Sequence, residues 1–280
     1  MKSIKKLLAL TLALAMTASF AACGAKNETP DASSEAASEN ASSEAAAEET
    51  SEAADSDKTY IIATDTTFAP FEFEDESGNK IGIDMDLLAA IAEDQGFKYE
   101  VQSLGFSAAV TALEAKQCDA VIAGMSITDE RKQKFDFSEP YFDSGVVMGV
   151  AADNETVKSY EDLKDQNVAI KVGTEGAAFA ESIKDQYGFT TTTFDDSANM
   201  YEDVKVGNSA ACFEDYPVLG YGVAQGNGLK IVTEKEQGSS YGFAVAKGEN
   251  AELIEMFNAG LKNLKDSGKY QEILDTYIAE

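Results

Sequence analysis

The sequence predicts an α/β protein with two lobes, two chain crossings between the lobes, and a ligand cleft between them. Two observations predict this fold. Short apolar runs that suit β-strands alternate with segments of helical periodicity, and this βα series occurs twice. Helical connections make successive strands parallel, so we expect mainly parallel sheets with helices on both faces. A last helix pair after the second series implies that the chain returns to the first lobe.

The N-terminus reads MKSIKKLLALTLALAMTASFAACG, in which lysines precede an apolar run too short to span a membrane. This pattern predicts a secretory signal peptide over residues 1–23. The segment SFAACG also resembles a bacterial lipobox, with Phe20 in place of the usual leucine. The resemblance implies that Cys23 is diacylated and anchors the protein to the outer face of the cell membrane. An ordinary cleaved signal peptide with an incidental cysteine is the alternative.

Residues 24–57 are almost wholly Ala, Ser, Glu, Asp, Thr and Asn, with ten acidic residues and one lysine. Such a segment has too little apolar bulk to offset its ordering entropy, so we expect a disordered acidic linker. The predicted layout is therefore a lipid anchor, a linker and a folded body.

The first βα series begins with the strand YIIAT and an aromatic turn. A helix follows from Asp84 and ends at Gly96. The strand YEVQSL, the helix FSAAVTALEAKQ and the strand DAVIAG complete the series. With the final helices, in which Asn250 is the expected N-cap and Gly268 the terminator, these elements predict lobe 1 over residues 58–143 and 241–280.

The second series predicts lobe 2 over residues 144–240. Ser159 is expected to cap a short helix, and Ser197 is expected to cap the helix after the strand TTTTF. The strand AACF precedes Asp215 and a helix with Pro217 near its start. We expect the chain to turn at GSSYG, residues 238–242, before it returns to lobe 1.

The composition excludes several classes of function. Asp and Glu number 50 against 22 Lys and Arg, so the net charge of -28 opposes binding to nucleic acid or to an anionic membrane surface. The chain has no histidine, which excludes Ser-His-Asp and Cys-His catalysis and imidazole metal sites. We expect no cofactor and no metal. Cys118 and Cys212 are predicted to be buried, reduced thiols.

Ligands of open α/β sheets bind at the carboxyl ends of strands, where helix N-termini present free N–H groups. The candidate ligand-binding residues at such positions are Asp65, Phe68, Phe106, Gly124, Ser126, Arg131, Lys171, Thr174, Glu175, Gly176 and Asp215.

Arg131 and Asp215 together suit a zwitterion. A guanidinium matches a carboxylate, and an aspartate on the other lobe matches an ammonium group, so the ligand would be an α-amino acid. Phe68 and Phe106 would form apolar walls, and Asp65 with Lys171 would meet a polar side-chain end. Each residue has an ordinary structural alternative: a surface charge for Arg131, an N-cap for Asp215, and core packing for the phenylalanines.

Four segments carry a family resemblance: residues 59–97, DAVIAGMSITDERKQKFDFSEPYFDSG, VAIKVGTEG and FEDYPVLGY. They resemble the polar amino-acid substrate-binding proteins of ABC importers, and the glutamine-binding type most. The resemblance implies two Rossmann-like lobes of the periplasmic binding protein type 2 fold, closure on the ligand, and delivery to a membrane permease by a monomeric protein. By position, the carboxylate-binding arginine falls on Arg131, the ammonium-binding aspartate on Asp215, and the glutamine-type lysine on Lys171.

Two departures from the family pattern bear on the substrate. Glu214 stands where the glutamine-binding type has histidine, and Glu175 occupies a loop position that is commonly small or hydroxylic. These carboxylates favour a basic ligand such as arginine or lysine, whereas Lys171 favours glutamine or another polar or acidic amino acid. Glutamine is the leading prediction and a basic amino acid the alternative. A cyclohexadienyl dehydratase on the same fold, with Glu175 or Glu214 as the acid, is a further and less favoured alternative to a non-enzymatic binding protein.

Overall fold

The computed structural model describes residues 58–278, which form two α/β lobes. The predicted signal peptide, the lipidation site Cys23 and the linker lie outside the described residues. No helix within residues 58–278 combines the length and the apolar character needed to cross a membrane.

The first lobe contains the described residues before Phe142 and the last 35 described residues. Its strands and helices are β1 Thr59–Thr64, β2 Thr67–Phe68, β3 Glu72–Glu74, β4 Lys80–Ile81, α1 Ile83–Gln95, β5 Lys98–Ser103, α2 Phe106–Glu114, β6 Ala120–Val121, β7 Phe135–Phe137, β14 Ala244–Ala246, α6 Ala251–Ser267 and α7 Lys269–Tyr277, with a 3-10 turn at Arg131–Gln133.

The second lobe lies between these two parts. Its elements are β8 Phe142–Ala151, β9 Asn167–Lys171, α3 Glu175–Tyr187, β10 Thr190–Phe194, α4 Ser197–Lys205, β11 Ala211–Asp215, α5 Tyr216–Ala224, β12 Leu229–Ile231 and β13 Glu236–Tyr241, with a 3-10 turn at Tyr160–Leu163.

Each lobe is built on a mixed sheet. The first sheet has the strand order β5-β1-β6-β14-β7, with β1 parallel to β5 and β6 and with β14 antiparallel to β6 and β7. The second has the order β10-β9-β11-β8-β12, and β13 also pairs with β8. In this sheet β9 is parallel to its neighbours, whereas β8 is antiparallel to β11, β12 and β13. Strands β2, β3 and β4 form a small antiparallel sheet.

Apolar layers cover both faces of the two large sheets. In β1, Ile62 packs in the layer that contains Leu87 of α1, whereas the next residue, Ala63, packs in the layer of α2. In β11, Phe213 and Cys212 likewise enter opposite layers. Burial on both faces explains why these strands read as continuous apolar runs and not as alternating patterns.

The two lobes are connected by β8 and β13, which lie side by side. Phe142 at the start of β8 pairs with Tyr241 at the end of β13, so the outgoing and returning crossings form one antiparallel ladder. This ladder confirms the two predicted hinge crossings. Cys118 and Cys212 are buried free thiols, and burial raises the pKa of the Cys118 thiol to about 11.

Three local predictions were wrong. The sheets are mixed, because the crossing strand β8 and the returning strand β14 enter their sheets antiparallel. The predicted turn at residues 238–242 is largely the end of β13, since its backbone groups pair with β8. The N-cap of α4 is Asp196, whose carboxylate accepts the N–H of Asn199, and Ser197 is the first helical residue.

Candidate functional site

The predicted site residues come from the carboxyl ends of strands in both lobes. Lobe 1 contributes Asp65 after β1, Phe68 in β2, Phe106 at the start of α2, Gly124 and Ser126 after β6, and Arg131 in the 3-10 turn. Lobe 2 contributes Lys171 at the end of β9, Thr174, Glu175 and Gly176 at the start of α3, and Asp215 at the end of β11.

A buried ion pair joins the two lobes within this set. Lys171 Nζ lies 2.5 Å from Asp65 Oδ2, and the side chains are 1% and 3% exposed. The ammonium group also lies 4.9 Å from the centre of the Phe68 ring and donates a 3.4 Å hydrogen bond to Ser197 Oγ. A charge pair removed from water requires such close geometry to offset its desolvation. The pair also shows that the lobes approach closely at this end of the cleft.

Arg131 forms a second link between the lobes. One guanidinium nitrogen donates to the carbonyl of Ser126 at 2.8 Å, and the other donates to the carbonyl of Gly173 in lobe 2 at 3.0 Å. The second nitrogen also lies 3.5 Å from Glu175 Oε1, and the guanidinium carbon lies 5.4 Å from the centre of the Phe106 ring. Burial lowers the pKa of Arg131, while the charges of Glu175 and Asp215 raise it. The guanidinium stays cationic and is oriented by backbone carbonyls.

Asp215 is a buried carboxylate that has no cationic partner in direct contact among residues 58–278. It stands at the N-cap position of α5, yet its side chain makes no capping hydrogen bond. Its Oδ2 instead accepts the hydroxyl of Tyr241 at 2.6 Å. Burial and the neighbouring charge of Glu214 raise the pKa of Asp215 to about 7, although Tyr241 and Arg131 act in the opposite direction. A ligand ammonium group would supply the missing positive charge.

Two glycines allow close approach around the cleft. Gly124 has a φ of 51°, and a Cβ at this position would lie 2.4 Å from a ring carbon of Phe68. Gly176, in the first turn of α3, would place a Cβ 2.7 Å from the carbonyl oxygen of Phe213. The absence of side chains here lets the wall of lobe 1 and the start of α3 pack closely against their neighbours.

Two predicted residues use their side chains for contacts within the protein. The hydroxyl of Thr174 donates to the Lys171 carbonyl and accepts the Ala177 N–H, so it caps α3. Ser126 Oγ lies 3.3 Å from Ser239 Oγ on the crossing strand.

The site therefore offers one forked cation, one uncompensated carboxylate and one internal ion pair, lined by two phenylalanines. Residues 60–280 match the family model described as bacterial extracellular solute-binding proteins, family 3. The chain belongs to this family.

This family 3 protein is similar to arginine-binding proteins and to a domain of GlnP, among other proteins. The arginine-binding extracellular protein ArtP of Bacillus subtilis (strain 168) is 29% identical over 96% of each chain. An ancestral arginine-binding protein, solved with arginine and with glutamine, is 38% identical, covers 79% of this chain and 98% of its own, and has TM-scores of 0.74 and 0.73. Substrate-binding domain 2 of GlnP from Lactococcus lactis, solved in an open conformation, is 41% identical over 79% of this chain and 96% of its own.

The structure of this family 3 protein is less similar to the open GlnP domain than to the ancestral protein bound to arginine. The TM-score to the open domain is 0.57, below the value for the ancestral protein bound to arginine, although the open domain is the more identical in sequence. The contacts of Lys171 with Asp65 and of Arg131 with Gly173 across the cleft agree with a closed arrangement in the present structure.

Four residues around the site were missed in the sequence. The sequence predicts Tyr241 in a turn, but the residue is fully buried and its hydroxyl donates a hydrogen bond to Asp215. The sequence predicts Ser197 as a helix N-cap, but its hydroxyl donates a hydrogen bond to Glu214 and accepts one from Lys171. Glu72 and Asp84 are buried behind the wall of lobe 1. Glu72 lies between Phe71 and Phe73, and Asp84 lies between Ile83 and Met85; a charged residue within an apolar segment is the signal that could have identified these two. Ser197 and Tyr241 follow polar residues, so no such pattern marks them.

Glu214 lies behind the site, within lobe 2. Its carboxylate accepts the hydroxyls of Ser197 and Tyr201 at 2.9 and 3.0 Å and the N–H of Asp215 at 3.0 Å. Through these hydrogen bonds Glu214 positions Ser197, which contacts Lys171, and the backbone of Asp215. The structure therefore weakens its interpretation as a carboxylate that selects a basic ligand.

Proposed function

We propose that this protein is the extracytoplasmic solute-binding component of an ABC importer for a polar amino acid. Arg131 holds the α-carboxylate and Asp215 the α-ammonium group. These two groups lie on different lobes, so a bound zwitterion connects the lobes and stabilises the closed form that a permease recognises. Support comes from the family membership and from the electrostatics of Asp215, a carboxylate whose pKa is raised by its burial and by the charge of Glu214.

The Lys171–Asp65 ion pair favours glutamine as the ligand, and it is the observation on which this choice depends. A carboxamide has a carbonyl that can accept from Lys171 and an NH₂ group that can donate to Asp65, so it can engage both charges without disturbing their balance. A guanidinium would be repelled by Lys171, and a side-chain carboxylate would be repelled by Asp65. Phe68 and Phe106 form the apolar walls of this pocket.

The alternative is a basic amino acid, arginine or lysine. Glu175 lies beside Arg131 and adds a carboxylate to the site. The named relatives include arginine-binding proteins, and one of them was solved with both arginine and glutamine. In this alternative the side chain of the ligand would displace Lys171 from Asp65.

The membrane arrangement forms part of the same proposal. Diacylation of Cys23 would anchor the protein, and residues 24–57 would let the body move between the membrane surface and the permease. We propose lobe boundaries at residues 58–143 and 241–280 for lobe 1 and at 144–240 for lobe 2. The monomeric body follows from the family resemblance.

Isothermal titration calorimetry of the ligand-stripped protein against the twenty amino acids tests the proposal. We expect glutamine to bind most tightly. Tightest binding of arginine or lysine would replace glutamine by the basic alternative while leaving the roles of Arg131 and Asp215 intact. Failure of every amino acid to bind would reject the proposed function.

A further inference from the structure

Two carboxyl groups are buried together behind the ligand-facing wall of lobe 1. Glu72 in β3 is 1% exposed, and Asp84 in the first turn of α1 is fully buried. Asp84 Oδ2 accepts the N–H of Gly124 and the hydroxyl of Tyr141, each at 2.8 Å. Both oxygens of Glu72 and Oδ1 of Asp84 have no hydrogen-bond donor among residues 58–278. Three buried acceptors without a donor are costly. One proton on Glu72 would turn one of its oxygens into a donor to Oδ1 of Asp84, and would leave only the carbonyl oxygen of the neutral Glu72 acid without a partner.

We propose that Glu72 is a neutral carboxylic acid that donates a hydrogen bond to Asp84, and that this shared proton positions Gly124 at the ligand site. The proton resides on Glu72, because the donors Gly124 and Tyr141 both point at Asp84 and favour its ionised form. The start of α1 adds a favourable helix dipole for an anion at Asp84. The carboxylate of Asp84 then accepts three hydrogen bonds, one of which fixes the backbone N–H of Gly124.

The electrostatic surroundings agree with this assignment. Burial raises the pKa of Glu72 well above its ordinary value, and the charges of Asp84 and Asp65 raise it further. Lys171, which reaches the site from lobe 2, lowers it by a smaller amount. Burial raises the pKa of Asp84 to about 6, while its hydrogen bonds from Gly124, Tyr141 and Glu72 act in the opposite direction. At neutral pH the pair therefore carries one negative charge and one proton.

Gly124 transmits this arrangement to the site. It follows β6, adopts a positive φ and packs against the Phe68 ring. Its N–H is held by Asp84, so Glu72 acts on the ligand through Asp84 and Gly124 and is a positioning residue. This positioning role rests on the proposed amino-acid site, whereas the protonation of Glu72 does not.

The pH dependence of stability tests the protonation. A carboxyl group whose pKa is raised by folding stabilises the folded state fully below its unfolded-state pKa, and this stabilisation is lost progressively as the pH rises to the folded-state pKa. Glu72→Gln keeps a donor toward Asp84 but cannot titrate. Between pH 5.5 and 9, the ratio of the wild-type to the Glu72→Gln unfolding equilibrium constant, measured by urea denaturation without ligand, should rise by up to tenfold per pH unit.

Glu74→Gln is the matched control, because Glu74 lies on the same strand and is exposed. This variant should keep the wild-type pH dependence. A constant ratio between the wild type and Glu72→Gln would overturn the shared proton. If Glu72→Gln does not fold, ¹³C NMR of wild-type protein labelled at glutamate carboxyls decides the matter. One glutamate should titrate far above the ordinary range, and ordinary titration of every glutamate would overturn the proposal.

The affinities for glutamine and arginine at pH 7 test the positioning role. Glu72→Gln should bind like the wild type, whereas Glu72→Ala should lose tenfold or more, because it leaves Oδ1 of Asp84 without a donor. Equal affinities for the two variants would overturn the positioning role. If no amino acid binds the wild type, the proposed function fails, and the stability measurement still decides whether Glu72 is protonated.

Discussion

Replacement of Lys171 by methionine should weaken glutamine binding and strengthen arginine binding. The charges of Lys171 and Asp65 are 2.5 Å apart, so their attraction is about 7 kcal/mol at an effective dielectric constant of about 20. Desolvation opposes this attraction, and removal of one partner from a buried pair costs about 3–5 kcal/mol. Because the two side chains come from different lobes, we expect that cost to fall mainly on the closed arrangement.

The expected change in affinity follows from the lost hydrogen bond. A charged donor to the amide oxygen of glutamine contributes about 1.5–3 kcal/mol, so the dissociation constant of glutamine should rise about 10–150-fold. Arginine should gain affinity, because Asp65 becomes available to its guanidinium group and the repulsion by Lys171 is gone.

Isothermal titration calorimetry with both amino acids measures these changes. Lys158→Met, which removes an exposed lysine of the same lobe, controls for the change in net charge. An unchanged glutamine affinity in Lys171→Met would refute the role given to the ion pair. A parallel loss of affinity for both amino acids would show that Lys171 acts through lobe closure alone and does not select the side chain.

Three further predictions concern the rest of the site. Arg131→Lys replaces the planar guanidinium fork by a single ammonium group. Calorimetry should therefore show a similar loss of affinity, about tenfold or more, for every amino acid that binds. A loss confined to one class of ligand side chain would contradict the role of Arg131 in binding the α-carboxylate. Asp215 must be ionised to hold an ammonium group, so affinity should fall as the pH drops below about 7, by up to tenfold per pH unit. Tyr241→Phe removes a hydrogen bond that lowers the pKa of Asp215, so it should move this transition to higher pH; an affinity that does not vary between pH 5 and 8 would argue against Asp215. Gly124→Ala should lower the free energy of unfolding, measured by urea denaturation, by about 1–2 kcal/mol because Gly124 has a positive φ. It should also weaken ligand binding. A variant as stable as the wild type would show that the Phe68 ring and the backbone adjust freely.

Much of the fold follows from local patterns in the sequence. Apolar runs and helical periodicity identified the two βα series, because burial on one or both faces imposes a period on each element. The rule that ligands bind at the carboxyl ends of strands then selected Asp65, Lys171 and Asp215 without knowledge of their contacts. The family resemblance added the roles of these residues, which spacing alone left open.

The tertiary structure decided what those residues contact. Lys171 and Asp65 are 106 positions apart, and only the approach of two lobes brings them together. The contact of Tyr241 with Asp215 and the burial of Glu72 also depend on packing between elements that are distant in the sequence. Strand direction in the mixed sheets was also settled at this level, since β8 can add to a sheet in either orientation. Local sequence determines the hydrophobic period of each helix or strand and the residues at which it ends. The distances between charged groups, and the desolvation of these groups, arise only when distant elements pack. These two quantities govern the interactions of the charged groups at this site.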